Sequence, residues 1–312
     1  MRIFKPFDVR REDHPIIEQG AQGIVYAFDQ DIVLKQPYEY EVLTDKETHH
    51  HAYLTLSGFI AREKELVLYD VLQSNPHPNI VRRLNTDQSD CLFLERVEPL
   101  KETWLGSSEA DRRRWARGLL SALSWLEKLG WAHGDLGKCN MGIFSDDSGK
   151  THLKLFDFGS AYQLSHEHAD RMLEKDHFDL ATCLHFILSG IDPLSGSLSS
   201  VELKQVRETL IAGCWTVAPA AAPLADVIQD GWTGRACKAS FGSIAAHVDG
   251  ALGLAPVDEV LCSSRPDSYY GDLEVRCRNW LGSATRSLLW MSREDYFATC
   301  KSVGIDVSMY ER

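Results

Sequence analysis

The sequence predicts an α+β protein in two parts, strand-rich over residues 1–98 and helical over residues 99–250. Three observations carry this reading. All eight tryptophans lie between Trp104 and Trp290, so composition changes near residue 100. Three early runs, PIIEQ, GIVYAF and DIVLKQP, are punctuated by Gly20, Gly23 and the tight turn Asp29-Gln30-Asp31, the pattern of successive antiparallel strands. From residue 109 onward apolar residues recur at helical spacing, as at Trp115, Leu119, Leu123 and Leu126. A chain of 312 residues is long enough for two such parts.

Between the strands and the helical part, residues 37–56 read as a polar connection containing His49-His50-His51, expected as a solvated loop. Residues 60–72 are apolar-periodic and predict a helix, stopped by the cluster Asn75-Pro76-His77-Pro78. Arg112, Arg113 and Arg117 lie largely off the later apolar stripe, and Arg112, Arg113 and Arg114 predict an exposed helix face rather than an anion site. MGIF (141–144) and LKLFDF (153–158) read as a hairpin joined by Asp146-Asp147-Ser148-Gly149. Residues 251–312 predict a helical extension, with Tyr269, Tyr270 and Trp280 packing it onto the helical part, a partner-binding extension being the alternative.

Composition narrows the function. The 33 basic and 45 acidic residues give a net charge of −12, which argues against a nucleic-acid grip spread over the surface. The start, MRIFKPFDVR, has no apolar core of a secretory signal, and no apolar run approaches the length of a membrane span. Eight scattered cysteines without a CxxC pair suggest neither zinc nor a disulfide framework, so a reduced compartment, cytoplasmic or nuclear, is expected. The histidines at 49–51, 166 and 168 lack metal-ligand spacing.

One ordered set of residues carries chemistry. Moving a nucleotide phosphate requires a backbone cradle, a cation on the phosphate oxygens, magnesium ligands and a carboxylate to orient the attacking hydroxyl. Gly20-Ala-Gln-Gly23-Ile-Val25 lies between two strands, where glycine lets backbone approach phosphate. Lys35, in VLKQP, is the candidate cation, and Glu65 its candidate ion-pair partner, with Glu63 the alternative. Asp157, in LFDFGSA, and Asn140 are candidate magnesium ligands. Asp135, in HGDLGKCN, is the candidate proton acceptor.

These motifs resemble those of the protein kinases over residues 15–250. The resemblance implies a bilobal fold with a β-rich small lobe and an α-helical large lobe, binding ATP and Mg²⁺ and transferring phosphate to a protein serine or threonine. It further implies that Leu94-Glu95-Arg96-Val97 is the segment that receives adenine, making Glu95 and Val97 nucleotide-binding along with Gly20, Gly23, Val25 and Lys35. HPNIV (77–81) resembles the segment after the helix carrying Glu65. DHFDLATCLHFILSG (176–190) resembles the buried helix whose aspartate, Asp176, ties down the catalytic loop. His133 is expected to pack beneath the phenylalanine of DFG.

The departures from the family pattern matter equally. Glu18 replaces the first loop glycine, Gly134 the arginine of HRD, and Gly137 the usual catalytic-loop lysine, with Lys138 one place late. No APE motif follows DFG. QGAQG and HGDLGKCN are also similar to the RIO group, to the kinase-like subunit of the tRNA-threonylcarbamoylation complex, and to small-molecule kinases. A small-molecule acceptor, or a nucleotide-binding scaffold with weak ATPase activity, therefore stands beside the protein kinase. With Gly134 in place of arginine, the resemblance also implies an enzyme without activation-loop phosphorylation.

Overall fold

The computed structural model describes residues 2–20, 23–195, 199–236, 238–254 and 265–311. The chain divides into two compact units. The first comprises Met1–Asn75, Arg82–Arg96 and Arg265–Arg312, and the second Pro76–Val81 and Val97–Ser264. The first is built on a sheet, and the second is mostly helical.

In the first unit five antiparallel strands lie in the order Ile16–Gly20, Gly23–Ala27, Ile32–Gln36, Leu92–Glu95, Arg83–Leu84. The three early runs become the first three strands. Asp29 shapes the turn between the second and third by accepting the amides of Asp31 and Ile32 on Oδ1. Alternation puts Ile24, Tyr26, Ile32 and Leu34 in the core, while Val25 and Lys35 point to the other face.

The polar connection proves shorter than expected, because one helix runs from His49 to Ser74 and includes the three histidines. His50 and His51 use their Nδ1 atoms on the carbonyls of Glu47 and Thr48, so they belong to its first turn rather than to a loop. The helix hid its first half because it buries two different faces. Ala52, Leu56 and Phe59 form one stripe, and Leu68 and Leu72 another. At 100° per residue the two stripes point in nearly opposite directions, so no single periodicity runs through the segment.

What covers the first stripe corrects the expectation for the end of the chain. Residues 265–311 pack in the first unit, not on the helical part; residues 255–264 lie outside the described residues. From helix Asp267–Ser283, Tyr270, Leu273 and Cys277 join the core of Phe7, Phe28 and Phe93. Trp280 meets those three rings at centroid distances of 5.8, 5.5 and 5.9 Å, near edge-on. Arg276 pairs with Asp29 and Asp31 of the strand turn. From helix Arg293–Ser302, Tyr296, Phe297 and Cys300 pack on Ala52, Leu56 and Phe59. Arg293 pairs with Glu63 at 2.6 Å, and the Tyr296 hydroxyl donates to the Tyr40 carbonyl.

In the second unit Ser108 and Asp111 form a capping box that starts helix Glu109–Lys128, whose Trp115, Leu119, Leu123 and Leu126 are buried as their spacing predicts. The arginines beside that stripe are not a bare solvent face. Arg112 stacks on Trp104, Arg113 donates to the Leu252 carbonyl and Arg114 to that of Thr151. The hairpin Met141–Ser145 with Thr151–Leu155 has the expected turn, with Asp146 Oδ1 accepting the amides of Ser148 and Lys150. Asn79 and Val81 pair with Leu153 and Leu155, which makes Pro76–Val81 part of this unit. Helices Ala169–Ser189, Ser200–Ile211, Ala225–Trp232 and Phe241–Ala251 complete it. No helix among the described residues is long and apolar enough to cross a membrane.

The contact between the start and end of the first unit generates a pH dependence. Glu39 is fully buried, its Oε2 accepts the Met291 amide, and its Oε1 has no partner among the described residues. Burial pushes its carboxyl from 4.5 up to about 8; the Met291 amide and Arg62 pull it down, and Asp90 pushes it further up. The folded state therefore keeps a proton that the unfolded chain releases, so stability falls as pH rises from about 4.5 to about 8 and levels off above. Urea unfolding across that range should show this decline in the wild type and a flatter profile in Glu39→Gln. Parallel profiles would contradict the assignment.

Candidate functional site

Each unit gathers its own part of the predicted residue set. In the first, Lys35 on the third strand meets Glu65 on helix His49–Ser74, with Nζ 3.0 and 2.8 Å from the two carboxylate oxygens. Glu65 is 1% exposed, so its charge requires such a partner. Glu63, the alternative, is instead the partner of Arg293. Val25 stands directly across the strands from Lys35.

Gly20 and Gly23 face one another across the first hairpin, whose connecting residues 21 and 22 lie outside the described residues. Gly23 has φ +157°, and a Cβ there would fall 2.4 Å from the Gln36 carbonyl oxygen, so only glycine fits. Gly20 has no such constraint, since a Cβ would meet nothing within 4 Å. Its carbonyl accepts the Tyr38 hydroxyl at 2.9 Å.

Glu95 is built into the first unit more deeply than a nucleotide contact requires. Its amide donates to the Arg82 carbonyl, and its carboxylate accepts the Arg82 amide and the Tyr270 hydroxyl. Val97, two residues on, begins the longer stretch of the second unit.

In the second unit a short loop holds HGDLGKCN. Asp176, buried in helix Ala169–Ser189, accepts the amides of His133 and Gly134 at 2.9–3.1 Å. Burial pushes its carboxyl up to about 6, with Asp179 adding to the rise, while those two amides and Lys175 oppose it. His133 packs on Phe158 with centroids 5.4 Å apart. Its Nδ1 accepts the Asp135 amide, which leaves Nε2–H to donate to the Phe156 carbonyl at 3.1 Å. Burial holds this ring's pKa down, so it is a neutral strut.

Asn140 donates from Nδ2 to the Asp135 carbonyl at 2.7 Å, which fixes the amide so that Oδ1 remains its acceptor end. The Phe156 amide donates to the Asn140 carbonyl, bringing the start of DFG alongside. Asp157 itself has φ +64°, a left-handed conformation that a residue with a side chain adopts at a cost of about 1–2 kcal/mol. Such strain recurs where a side chain must be aimed.

Sequence reasoning missed Lys175. Its Nζ lies 3.5 Å from Asp135 Oδ1, 2.7 Å from Asp179 and 2.8 Å from the Gly134 carbonyl. Burial works to lower its pKa, but Asp179, Asp135 and Asp176 together outweigh that and raise it, so the ammonium stays charged. Lys138, the lysine nearer in sequence, is turned to Asp192 at 2.6 Å. The available signal was position, because Lys175 immediately precedes Asp176, the residue already expected to anchor the loop.

Gly134 also acquires a reason. Its φ is +80°, and a Cβ would sit 2.1 Å from the Ser160 carbonyl oxygen. No side chain fits at this position. Gly134→Ala should therefore cost about 2–5 kcal/mol, summing left-handed strain and overpacking. Chemical denaturation measures this, and an unchanged midpoint would contradict the geometry.

Among the described residues, no group of three or more histidine, cysteine, aspartate or glutamate side chains forms a metal cluster. No protein-family model matches the chain, and no curated protein matches it in sequence.

Proposed function

We propose that the chain is an ATP- and Mg²⁺-dependent phosphotransferase with a fold of protein-kinase type. The observation that carries the proposal is the loop around Asp135. Two backbone amides are held by Asp176, the neutral His133 packs against Phe158, and Asn140 is oriented by the Asp135 carbonyl. Asp135 is left with its side chain 65% exposed beside Lys175, as an acceptor of a substrate proton requires. The buried pair of Lys35 and Glu65 supports the same reading, since a phosphate-binding lysine needs its ammonium held at a fixed point.

In this reaction an acceptor hydroxyl gives its proton to Asp135. Its oxygen bonds to the γ-phosphorus of ATP as the bond to the β–γ bridging oxygen breaks, and ADP leaves with that electron pair. Lys35 holds phosphate oxygens, and Lys175 offsets charge near the attacking oxygen. Asp157 and the Oδ1 of Asn140 are hard oxygen donors suited to Mg²⁺, which prefers one or two protein ligands completed by phosphates and water. When bound, the ion supplies charge neutralisation on the phosphates.

Protein serine or threonine is the acceptor that the resemblance implies. One observation favours a small molecule instead. The residues after DFG are spent on structure, with Tyr162–Gln163 pairing with Trp131–Ala132 and helix Ala169–Ser189 beginning six residues later. Labelled ATP with a peptide array, then with a metabolite extract, separates the two acceptors. Free phosphate as the sole labelled product would instead favour a nucleotide-binding scaffold.

Asp135→Ala should keep ATP affinity near wild type and lower phosphoryl transfer by about 10²–10⁴. Calorimetry and an activity assay on one preparation decide this, and a large loss of ATP affinity would point to a structural role. Lys35→Met and Asp157→Asn should both lower turnover, but raising magnesium should partly rescue only Asp157→Asn. Equal rescue would overturn the division of roles.

A further inference from the structure

The second unit contains a cleft of about 600 Å³ that none of the motifs anticipated. It lies among the start of helix Ala169–Ser189, helix Ser200–Ile211 and the end of helix Ala225–Trp232. That volume falls in the range of small-molecule sites. Its floor includes Phe178 and Trp232, both buried. Three cations line it, Arg171, Lys175 and Arg207, against a single carboxylate, Glu174, among the described lining residues. In a chain of net charge −12 the lining residues alone carry a positive balance, although Asp179 and Asp135, beyond the lining, pair with Lys175.

The cations are differently committed. Lys175 is held by Asp179 and Asp135, so the cleft wall includes the residue that stands beside the proposed base. Arg207 stacks over Phe178 at 4.4 Å, a contact that leaves its hydrogen-bond donors unspent. Neither Arg171 nor Arg207 makes a hydrogen bond or ion pair with a described residue. The first turn of a 21-residue helix adds the positive end of its dipole on the same wall. Planar guanidinium groups match the oxygens of phosphate and carboxylate.

We propose that this cleft is the acceptor site, and that it takes a hydroxylated small molecule bearing a phosphate or carboxylate. Arg171 and Arg207 hold the anionic group, Phe178 and Trp232 carry the carbon skeleton, and Lys175 leads the hydroxyl toward Asp135. The assignment rests on the phosphotransferase reading given above, and the same proton and phosphoryl transfers apply. A small molecule is favoured over an acidic peptide because a built floor and a bounded volume suit a compact ligand.

The test is binding measured apart from catalysis. Glucose 6-phosphate and gluconate serve as anionic probes and glucose as the neutral control, titrated calorimetrically into wild type and the double variant Arg171→Gln/Arg207→Gln. Both arginines are exposed, so the variant should fold, which its thermal transition verifies. At least one anionic probe should bind wild type and bind the double variant at least tenfold more weakly, with glucose silent and ATP affinity equal in both proteins. Equal binding of the probes by both proteins, or binding of neither anion, overturns the proposal, as does labelling of an acidic peptide in place of any small anion. If ATP fails to bind while the arginine-dependent anion binding persists, the phosphotransferase reading falls and the anion site remains.

Discussion

A buried carboxylate must be paired, and in the first unit this requirement falls on Glu65. With almost no exposure, it meets Lys35 through both oxygens, and removing either partner of such a pair costs about 3–5 kcal/mol. The pair is short only if helix His49–Ser74 sits at one position relative to the sheet. Nothing in the pair itself enforces that position. The end of the chain does so, with Tyr296, Phe297 and Cys300 against one face of the helix and Trp280 in the ring cluster of the sheet core. Glu39 joins the same construction, because its carboxyl group receives the Met291 amide at the approach to the last helix.

The second unit solves a comparable problem with a different device. A loop carrying an exposed carboxylate gains little from its own packing, so it must be fixed from below. Asp176 does this through backbone amides, which tolerates change in the side chains above it. Gly134 then becomes a consequence of close packing. The Ser160 carbonyl lies where a side chain would begin, and the segment after Phe158 is held against the loop. A side chain at position 134 has no room here.

Much of this was legible in the sequence where the cause was local. The Asp29 turn, the capping box at Ser108, the hairpin turn at Asp146 and the stripe from Trp115 to Leu126 each follow from residues within a few positions of one another. So did Lys35 and Glu65, since a strand lysine and a helix glutamate below an apolar stripe are recognisable in isolation. The failures were non-local. The first half of the long helix is apolar toward residues more than two hundred positions away, and its periodicity breaks where its buried face changes. Lys175 escaped notice because its distance to Asp135 is short only after folding. The cationic cleft combines residues from three helices and has no signature along the chain.

The first unit is assembled from three stretches of chain, with the second unit's residues lying between them. A ribosome delivers these stretches in order. The sheet and helix His49–Ser74 emerge early, yet Ala52, Leu56 and Phe59 have no cover until Tyr296 and Phe297 have been made. That apolar surface stays without these partners through the synthesis of the second unit, and transiently exposed surface of this kind favours aggregation. The hairpin, by contrast, pairs its two strands within a short span of sequence. The first unit is therefore complete, and Lys35 and Glu65 in their final setting, only when helices Asp267–Ser283 and Arg293–Ser302 have docked.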